Sequence, residues 1–439
     1  VGGAKNQKTA LFIQNNRGSF EEVNNVFPES HKNYEDMDMI LEDFDNDGDK
    51  DLYIVSGGNE YEPNSAMLKD RLYVNDGFGN FKFNDESIPD NFSSGMRVSS
   101  ADFDKDGDLD LFVGGRVVPG NYPLPADSYL LINNSSKDKI SFTNADDSVF
   151  PYKDIGLVTS SVWADYNNDS WPDLIVVGEW TPIIFYKNIE GSFSEDNFII
   201  DKDSTRGWWY DIISEDFDND GDLDFVVGNL GNNYKYQTSE EGTFDIFYND
   251  FDKNNTGDIV LSYFNDGEQY PLRGRQCSSD QIPAIKTKFK DYDAFSIATL
   301  EDVYTEPALD NSLHYFTKTF SSVYLENTGN SLKMINLPVL AQLSAVNKIL
   351  KKDINNDGYT DVIISGNMYN SEVETPRNDG SVGVYLEFTP NNGFRAVPTK
   401  ESGLFINGDV KDMELIRLKE NDFIISAKND DLIEFTKIK

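Results

Sequence analysis

Carboxylates recur along this chain in a fixed frame. Asp43, Asp45, Asp47, Asp49 and Asp51 take the odd positions of a nonamer with Gly48 at position 6, and Leu52-Tyr53-Ile54-Val55 follows. Asp102, Asp104, Asp106, Asp108 and Asp110 repeat the frame ahead of Leu111-Phe112-Val113. Asp216, Asp218, Asp220, Asp222 and Asp224 repeat it again, and Asp353, Asn355, Asp357, Tyr359 and Asp361 once more. Two copies depart at position 6. Ser170 stands there among Asp165, Asn167, Asp169, Trp171 and Asp173, and Asn255 stands there among Asp250, Asp252, Asn254 and Asp258.

The chemistry of such a frame is cation binding. Oxygen donors at positions 1, 3 and 5 turn inward together if the backbone curls, and glycine at position 6 permits the curl. A carbonyl at position 7 adds a neutral donor, and a carboxylate at position 9 closes the shell. Calcium takes six to eight hard oxygens at roughly 2.3–2.6 Å, whereas magnesium keeps several waters and suits a peptide cage poorly. An EF-hand needs a bidentate Glu at position 12 between helices. Here position 12 of the first loop is Ile54, inside an apolar run. Ion-free Asp-Gly turns are the plainer alternative for one copy, but four full nonamers favour calcium.

Short strands must position these loops. Spacings of 59, 63 and 51 residues separate Asp43, Asp102, Asp165 and Asp216. Such a period matches a four-stranded propeller blade. Between loops, Arg71–Gly77 with Phe81–Phe83, Phe185–Asn188 with Gly191–Phe193, and Ser322–Asn327 read as hairpin strands. The fold expected is all-β, a single β-propeller over 1–439. It would have about seven blades if the Asp250 copy shares the blade of Asp216, and eight if that copy stands alone. Ile282, Ile285, Phe289, Tyr292, Phe295 and Leu300 fall near helical spacing, so one or two inserted helices are expected near 277–306. Strands return at 423–427 and 432–435, with a decayed acidic loop around Asp409 and Asp412.

Charge and composition exclude several classes. The 77 acidic against 38 basic residues leave a net charge of −39, which repels nucleic acid and anionic membranes. Apolar runs stay well short of the roughly 18 residues of a membrane span. Cys277 is the one cysteine, so an internal disulfide cannot form, and two histidines, His31 and His314, are too few for a histidine-rich zinc site. Val1-Gly2-Gly3-Ala4 is similar to Val113-Gly114-Gly115-Arg116 after an acidic loop. The sequence is therefore expected to begin inside a repeat of a longer protein, and the lack of a leader at its start says nothing about export.

The nonamers resemble the FG-GAP or VCBS repeat family, which includes the integrin α-chain head and cartilage acidic protein. Gly178-Glu179-Trp180-Thr181-Pro182, Gly228-Asn229-Leu230-Gly231-Asn232-Asn233 and Tyr270-Pro271-Leu272-Arg273-Gly274-Arg275 resemble bacterial surface members of the Bacteroidetes type. The resemblance implies calcium in the blades, held by Asp43, Asp45, Asp47 and Asp51, by Asp49 through its carbonyl, and by the matching positions of the other loops.

If the loops share one face, the strands after them end on the other. Asn59, Glu60, Arg116, Glu179, Trp180, Asn229, Asn233, Asn367 and Tyr369 would then form a variable binding rim, or would be ordinary turn residues beside glycines of positive φ. Trp208-Trp209-Tyr210 reads as blade core or as a sugar platform, and Arg273 with Arg275 as internal ion pairs or as an anion site. The expected function is a non-enzymatic, calcium-stabilised binding or adhesion module, extracellular or at a bacterial cell surface or outer membrane, facing protein or glycan. A polysaccharide-active enzyme and an accessory subunit of a surface assembly are the alternatives. No Ser-His-Asp or Cys-His arrangement stands out in the sequence, and no phosphate-loop motif appears.

Overall fold

Each acidic loop of the computed structural model, which describes residues 1–15, 18–137, 139–197, 199–239, 242–371 and 375–438, joins two antiparallel strands. In the first sheet an inner strand, Asp36–Glu42, pairs with Asp51–Ser56, then Arg71–Asn75, then Phe81–Phe83. The same meander builds a second sheet from Gly95–Ala101, Asp110–Gly115, Tyr129–Asn133 and Phe142–Asn144. The third runs Leu157–Ala164, Asp173–Thr181, Ile184–Ile189 and Ser192–Glu195, with Gly207–Trp208 added to its second strand. The fourth uses Asp211–Glu215, Asp224–Gly228, Val323–Asn327 and Leu332–Asn336; the fifth uses Val346–Lys352, Asp361–Gly366, Val384–Thr389 and Gly393–Val397. Three strands, Val410–Leu418, Asn421–Lys428 and Glu434–Lys437, make the sixth, and Phe12–Gln14 pairs with Phe20–Glu22 in a separate hairpin.

The second strands are continuous apolar runs because both their faces are covered. An apolar layer lies between each sheet and the next. Phe44, Val55 and Leu111 belong to the first such layer, and Phe217, Val226 and Ile364 to the fourth.

Inner strands carry a bulge near their start, between Asp36 and Asp38, Gly95 and Arg97, Val158 and Ser160, Val346 and Lys348, and Val410 and Asp412. The residue after each bulge is polar, and these residues meet. Arg97 lies 3.5 Å from Asp38 and 3.6 Å from Asp211, Ser160 Oγ donates to Asp211 at 2.9 Å, and Lys348 pairs with Asp412 at 2.9 Å. Arg97 therefore spans from the first sheet to the fourth, and the inner strands converge on one polar axis. The architecture is that of a β-propeller.

An insertion splits the fourth sheet between its second and third strands. It holds a sheet ordered Glu268–Pro271, Asp258–Asn265, Phe244–Asn249, Leu313–Thr317, and five short helices. The helices are Arg275–Gln281, Ala284–Lys288, Tyr292–Ser296, Leu300–Tyr304 and Glu306–Asp310. They pack Ile282, Ile285, Phe295 and Leu300 against Phe247 and Val260 of the sheet. Several expectations change here. The helical stretch is longer and more broken than one or two helices over 277–306, since Pro283 and Pro307 interrupt it. The Asp250 loop stands in this inserted sheet and does not share that of Asp216. Arg275 is not an anion site: it is buried, and its guanidinium donates to the carbonyls of Phe289 (2.6 Å) and Lys290 (3.2 Å). Arg273 reaches Gln281 at 3.4 Å. In the sixth sheet, Lys419 and Glu420 form a tight turn where other sheets carry the acidic loop. Asp409 precedes the inner strand and Asp412 faces the axis, so neither is the remnant of a loop.

Candidate metal centres

Every nonamer adopts the same backbone. Position 4 is left-handed in all six, at Asn46, Lys105, Asn168, Asn219, Lys253 and Asn356, with φ between 56° and 62°. Position 6 is left-handed as well. Gly48, Gly107, Gly221 and Gly358 have φ of 92–101°, while Ser170 and Asn255 reach 71° and 66°. In the first loop Asp43 accepts the N–H groups of Asp47 (3.1 Å) and Gly48 (3.0 Å). Asp165 accepts those of Asp169 and Ser170, and Asp250 those of Asn254 and Asn255, in the same way. Replacing glycine at position 6 thus leaves the curl intact. Asn tolerates a left-handed φ, and Ser170 is held there by its 2.7 Å bond to Asp165.

The curl gathers the carboxylates. Ligand atoms of Asp43, Asp45 and Asp47 lie within 4.8 Å of one another, as do those of Asp102, Asp104 and Asp106, of Asp216, Asp218 and Asp220, and of Asp250, Asp252 and Asp258. In the remaining two loops asparagine, Asn167 or Asn355, supplies the position-3 oxygen. The position-9 carboxylates, Asp51, Asp110, Asp173, Asp224, Asp258 and Asp361, are all 3% exposed or less. Burial and neighbouring carboxylates push Asp51 up to about 6, Asp173 and Asp224 to about 7 and Asp110 to about 8. Asp102 Oδ1 and Asn167 Oδ1 are buried without a hydrogen-bond donor. Acceptor oxygens massed this way fit a divalent cation.

A second set of residues fixes the loops, and it went unassigned in the sequence. In the first four sheets an asparagine at or next to the end of the third strand donates its backbone N–H to the position-9 carboxylate, Asn75 to Asp51, Asn133 to Asp110, Asn188 to Asp173 and Asn327 to Asp224, at 2.7–2.9 Å; in the fifth sheet Phe388 donates to Asp361 instead. The asparagine side chain then bridges sheets. Asn133 Nδ2 donates to Leu109 O in its own loop and to Phe44 O in the preceding sheet's loop. Asn188 joins Pro172 to Phe103, and Asn327 joins Leu223 to Tyr166. The signal was its recurrence near the end of the third strand in four of the sheets. Asn188→Ala is expected to cost about 2–3 kcal/mol in urea unfolding, because two buried carbonyls lose their donor.

The loops also touch each other. Lys105 stacks on Trp171 at 4.1 Å, Asn168 donates to Asp222 at 2.6 Å, and Asn219 donates to Gly358 O at 3.2 Å. The loops of the second, third, fourth and fifth sheets thus lie side by side on one face of the propeller.

The expected rim on the other face divides. Asn59, Glu60 and Asn233 are exposed, and Tyr369 is half-buried under Arg377 at 4.5 Å. Asn229 and Asn367 are buried and bond backbone carbonyls. Trp180, 1% exposed, stacks on Phe244 of the inserted sheet at 5.6 Å. Arg116 pairs with Glu179, Glu179 accepts from Tyr122, and the Tyr122 hydroxyl accepts from Trp180 Nε1. These side chains are interior because the insertion covers that part of the face. Trp208 and Trp209 are buried blade core rather than a sugar platform. Gly366 and Gly178 answer to close backbone approach, since a Cβ on Gly366 would lie 1.9 Å from Ala345 O and on Gly178 2.2 Å from Leu157 O, whereas Gly58 and Gly231 have positive φ, at 89° and 86°. Trp180→Ala is expected to cost about 3–5 kcal/mol of stability, read as a lower urea midpoint.

The FG-GAP-like repeat family model matches residues 43–113 and 165–227, which hold four of the loops and the strands that follow them. None of the curated proteins compared matches the chain. Among solved structures, Sqt1 of Saccharomyces cerevisiae is similar at 9% identity, covering 89% of this chain and 85% of its own, with a TM-score of 0.39. BBS1N, solved in complex with ARL6DN, is similar at 8% identity over 92% and 93%, with a TM-score of 0.35. The V. cholerae biofilm matrix protein Bap1 is similar at 10% identity over 91% and 85%, with a TM-score of 0.27.

Proposed function

We propose, from the FG-GAP-like repeats that this chain carries, that it is a calcium-stabilised, non-enzymatic binding module that works outside the cell and meets protein or glycan partners. One observation supports the calcium reading above others. Six loops of differing sequence converge on one backbone that masses carboxylates which, by themselves, repel. Calcium at millimolar concentration is an extracellular condition, and a chain with one cysteine gains from it the bracing that disulfides give other exported proteins. Asp43, Asp45, Asp47 and Asp51, with the carbonyl of Asp49, would hold the first ion, and the equivalent positions would hold the rest. The bound ions would neutralise the loops and rigidify the face they share.

The partner surface is best sought on exposed ground, at Asn59, Glu60 and Asn233, rather than at the interior Trp180. Calorimetric titration of chelated protein with calcium is expected to give six sites, since the Ser170 and Asn255 loops are built like the others; only four sites would restrict binding to the full nonamers. A glycan and protein array probed in calcium and in EDTA tests the module reading. Calcium-dependent capture without turnover supports it, and release of new reducing ends from a glycan would contradict it in favour of an enzyme.

A further inference from the structure

The acidic loops are joined to one another at fixed places in their frame. Position 4 of one loop reaches position 6 or 7 of the loop in the next sheet. Lys105 stacks on Trp171 at 4.1 Å, Asn168 Nδ2 donates to Asp222 Oδ1 at 2.6 Å, and Asn219 Nδ2 donates to Gly358 O at 3.2 Å. A second set of links runs the other way. The asparagines that hold Asp110, Asp173 and Asp224 by their N–H groups donate their side chains to position 2 of the loop before, at Phe44, Phe103 and Tyr166. The Asp250 loop is held within the insertion instead. Asn249 Nδ2 donates to Ala308 O and Asn311 O at 3.5 Å, and Phe251 packs on Tyr304 at 5.4 Å.

These links end on the segment that a bound ion would order. Position 7 would give its carbonyl to the ion, and position 6 sets the curl that aims it. Position 4 stands between the ligands at 3 and 5 in a left-handed conformation, with φ of 56° at Asn168 and 60° at Asn219. A cation in the Asp216 loop would fix Gly221 and Asp222, and through that acceptor it would fix Asn168. The curl of the Asp165 loop is then ordered before its own ion arrives, so that ion costs less conformational freedom on binding. Charge works the other way, since a filled loop attracts the next cation less than an empty one does. Salt at about 0.15 M screens exposed charges beyond about 8 Å and weakens that opposition. The order of the loops suits the coupling. The Asp216 loop carries carboxylates at all five odd positions, whereas the Asp165 and Asp353 loops carry three each. The loop with most charge lies between two with less and is bonded to both.

We infer that the loops of the third, fourth and fifth sheets fill with calcium cooperatively, an inference that rests on the calcium reading above. Asn168 and Asn219 are the positioning residues that pass occupancy between neighbours. The Asp216 loop fills first and raises the affinity of the Asp165 and Asp353 loops, and by reciprocity each of those raises its affinity in turn. The Asp250 loop fills independently.

The test titrates the whole chain with terbium, a luminescent stand-in for calcium, at about 0.15 M salt. Trp171 is position 7 of the Asp165 loop, so the sensitised emission that Trp171→Phe removes reads that loop. Emptying the Asp216 loop with Asp218→Ala and Asp220→Ala is expected to weaken terbium in the Asp165 loop about fivefold or more. Asn168→Gly removes the amide and keeps the left-handed backbone. In that background the same emptying is expected to change the affinity by less than about twofold. Asp222→Ala cuts the same bond from the other side and serves as a second background. Emptying the Asp250 loop with Asp252→Ala and Asn254→Ala also loses an ion, and is expected to leave the Asp165 loop unchanged. An equal loss there would mark general destabilisation and overturn the inference. So would an equal loss with and without the Asn168 bond, which would assign the effect to charge, and so would an Asp165 loop indifferent to its neighbour. A chain that binds neither terbium nor calcium would sink the calcium reading and this inference together, whereas binding without coupling sinks the inference alone.

Discussion

Transfer from millimolar calcium into EDTA is expected to lower the melting temperature by at least about 10 °C. An ion that binds only the folded state contributes about 2.7 kcal/mol when present at a hundred times its dissociation constant. Six such sites would contribute about 16 kcal/mol, comparable to the whole stability of an ordinary domain. The metal-free protein must also hold carboxylates together within 4.8 Å in four loops. Differential scanning calorimetry in both conditions checks this, and equal melting temperatures would leave the loops as ion-free turns.

The second large effect is an inversion of pH dependence by calcium. Burial holds Asp51, Asp173, Asp224 and Asp110 at about 6, 7, 7 and 8 in the folded, metal-free chain. Unfolded, such groups titrate near roughly 3.9. Between about pH 4 and 8 the folded state therefore binds more protons than the unfolded one, and stability falls as pH rises through that window. In EDTA the protein should melt higher at pH 5.5 than at pH 8, by roughly 8 kcal/mol of stability if the four shifts add. In calcium the sign reverses, because protons compete for the same oxygens. Melting curves at both pH values, with and without calcium, give the four measurements needed. A metal-free protein that loses stability on acidification would contradict the electrostatic account of the loops.

The nonamer was legible in the sequence because its chemistry is local. Alternate carboxylates, a turn-forming residue and an apolar run specify a curl and a strand without outside help, which is why Asp43 and Asp361 lie in loops of one shape. What the sequence hid was tertiary. Ser170 and Asn255 look like defects, but the hydrogen bonds of Asp165 and Asp250 hold both residues left-handed. Trp180 ends a strand and looks like rim; it is interior because Phe244, far along the chain, lies on it. Asn133 looks like a hairpin residue, and its bond to Phe44 O exists only once two sheets are side by side. The tight turn at Lys419 and Glu420 shows the converse: where the sheet neither ends in a loop nor faces another one, the acidic frame is gone.

Splitting the fourth sheet between Gly228 and Val323 bears on how the chain acquires its structure during synthesis. Val323–Asn327 must find Asp224–Gly228 across the whole intervening insertion, a distant closure of the kind that slows folding. Until it does, the edge of Asp224–Gly228 is exposed on the nascent chain, and Asp224 lacks the N–H of Asn327 and the hydroxyl of Tyr324 that later hold it. The insertion carries its own sheet, its own apolar core and its own acidic loop, so it can consolidate first and bring the two halves of the sheet within reach. Emergence into calcium would hasten that step, making the order of assembly depend on the compartment into which the chain is delivered.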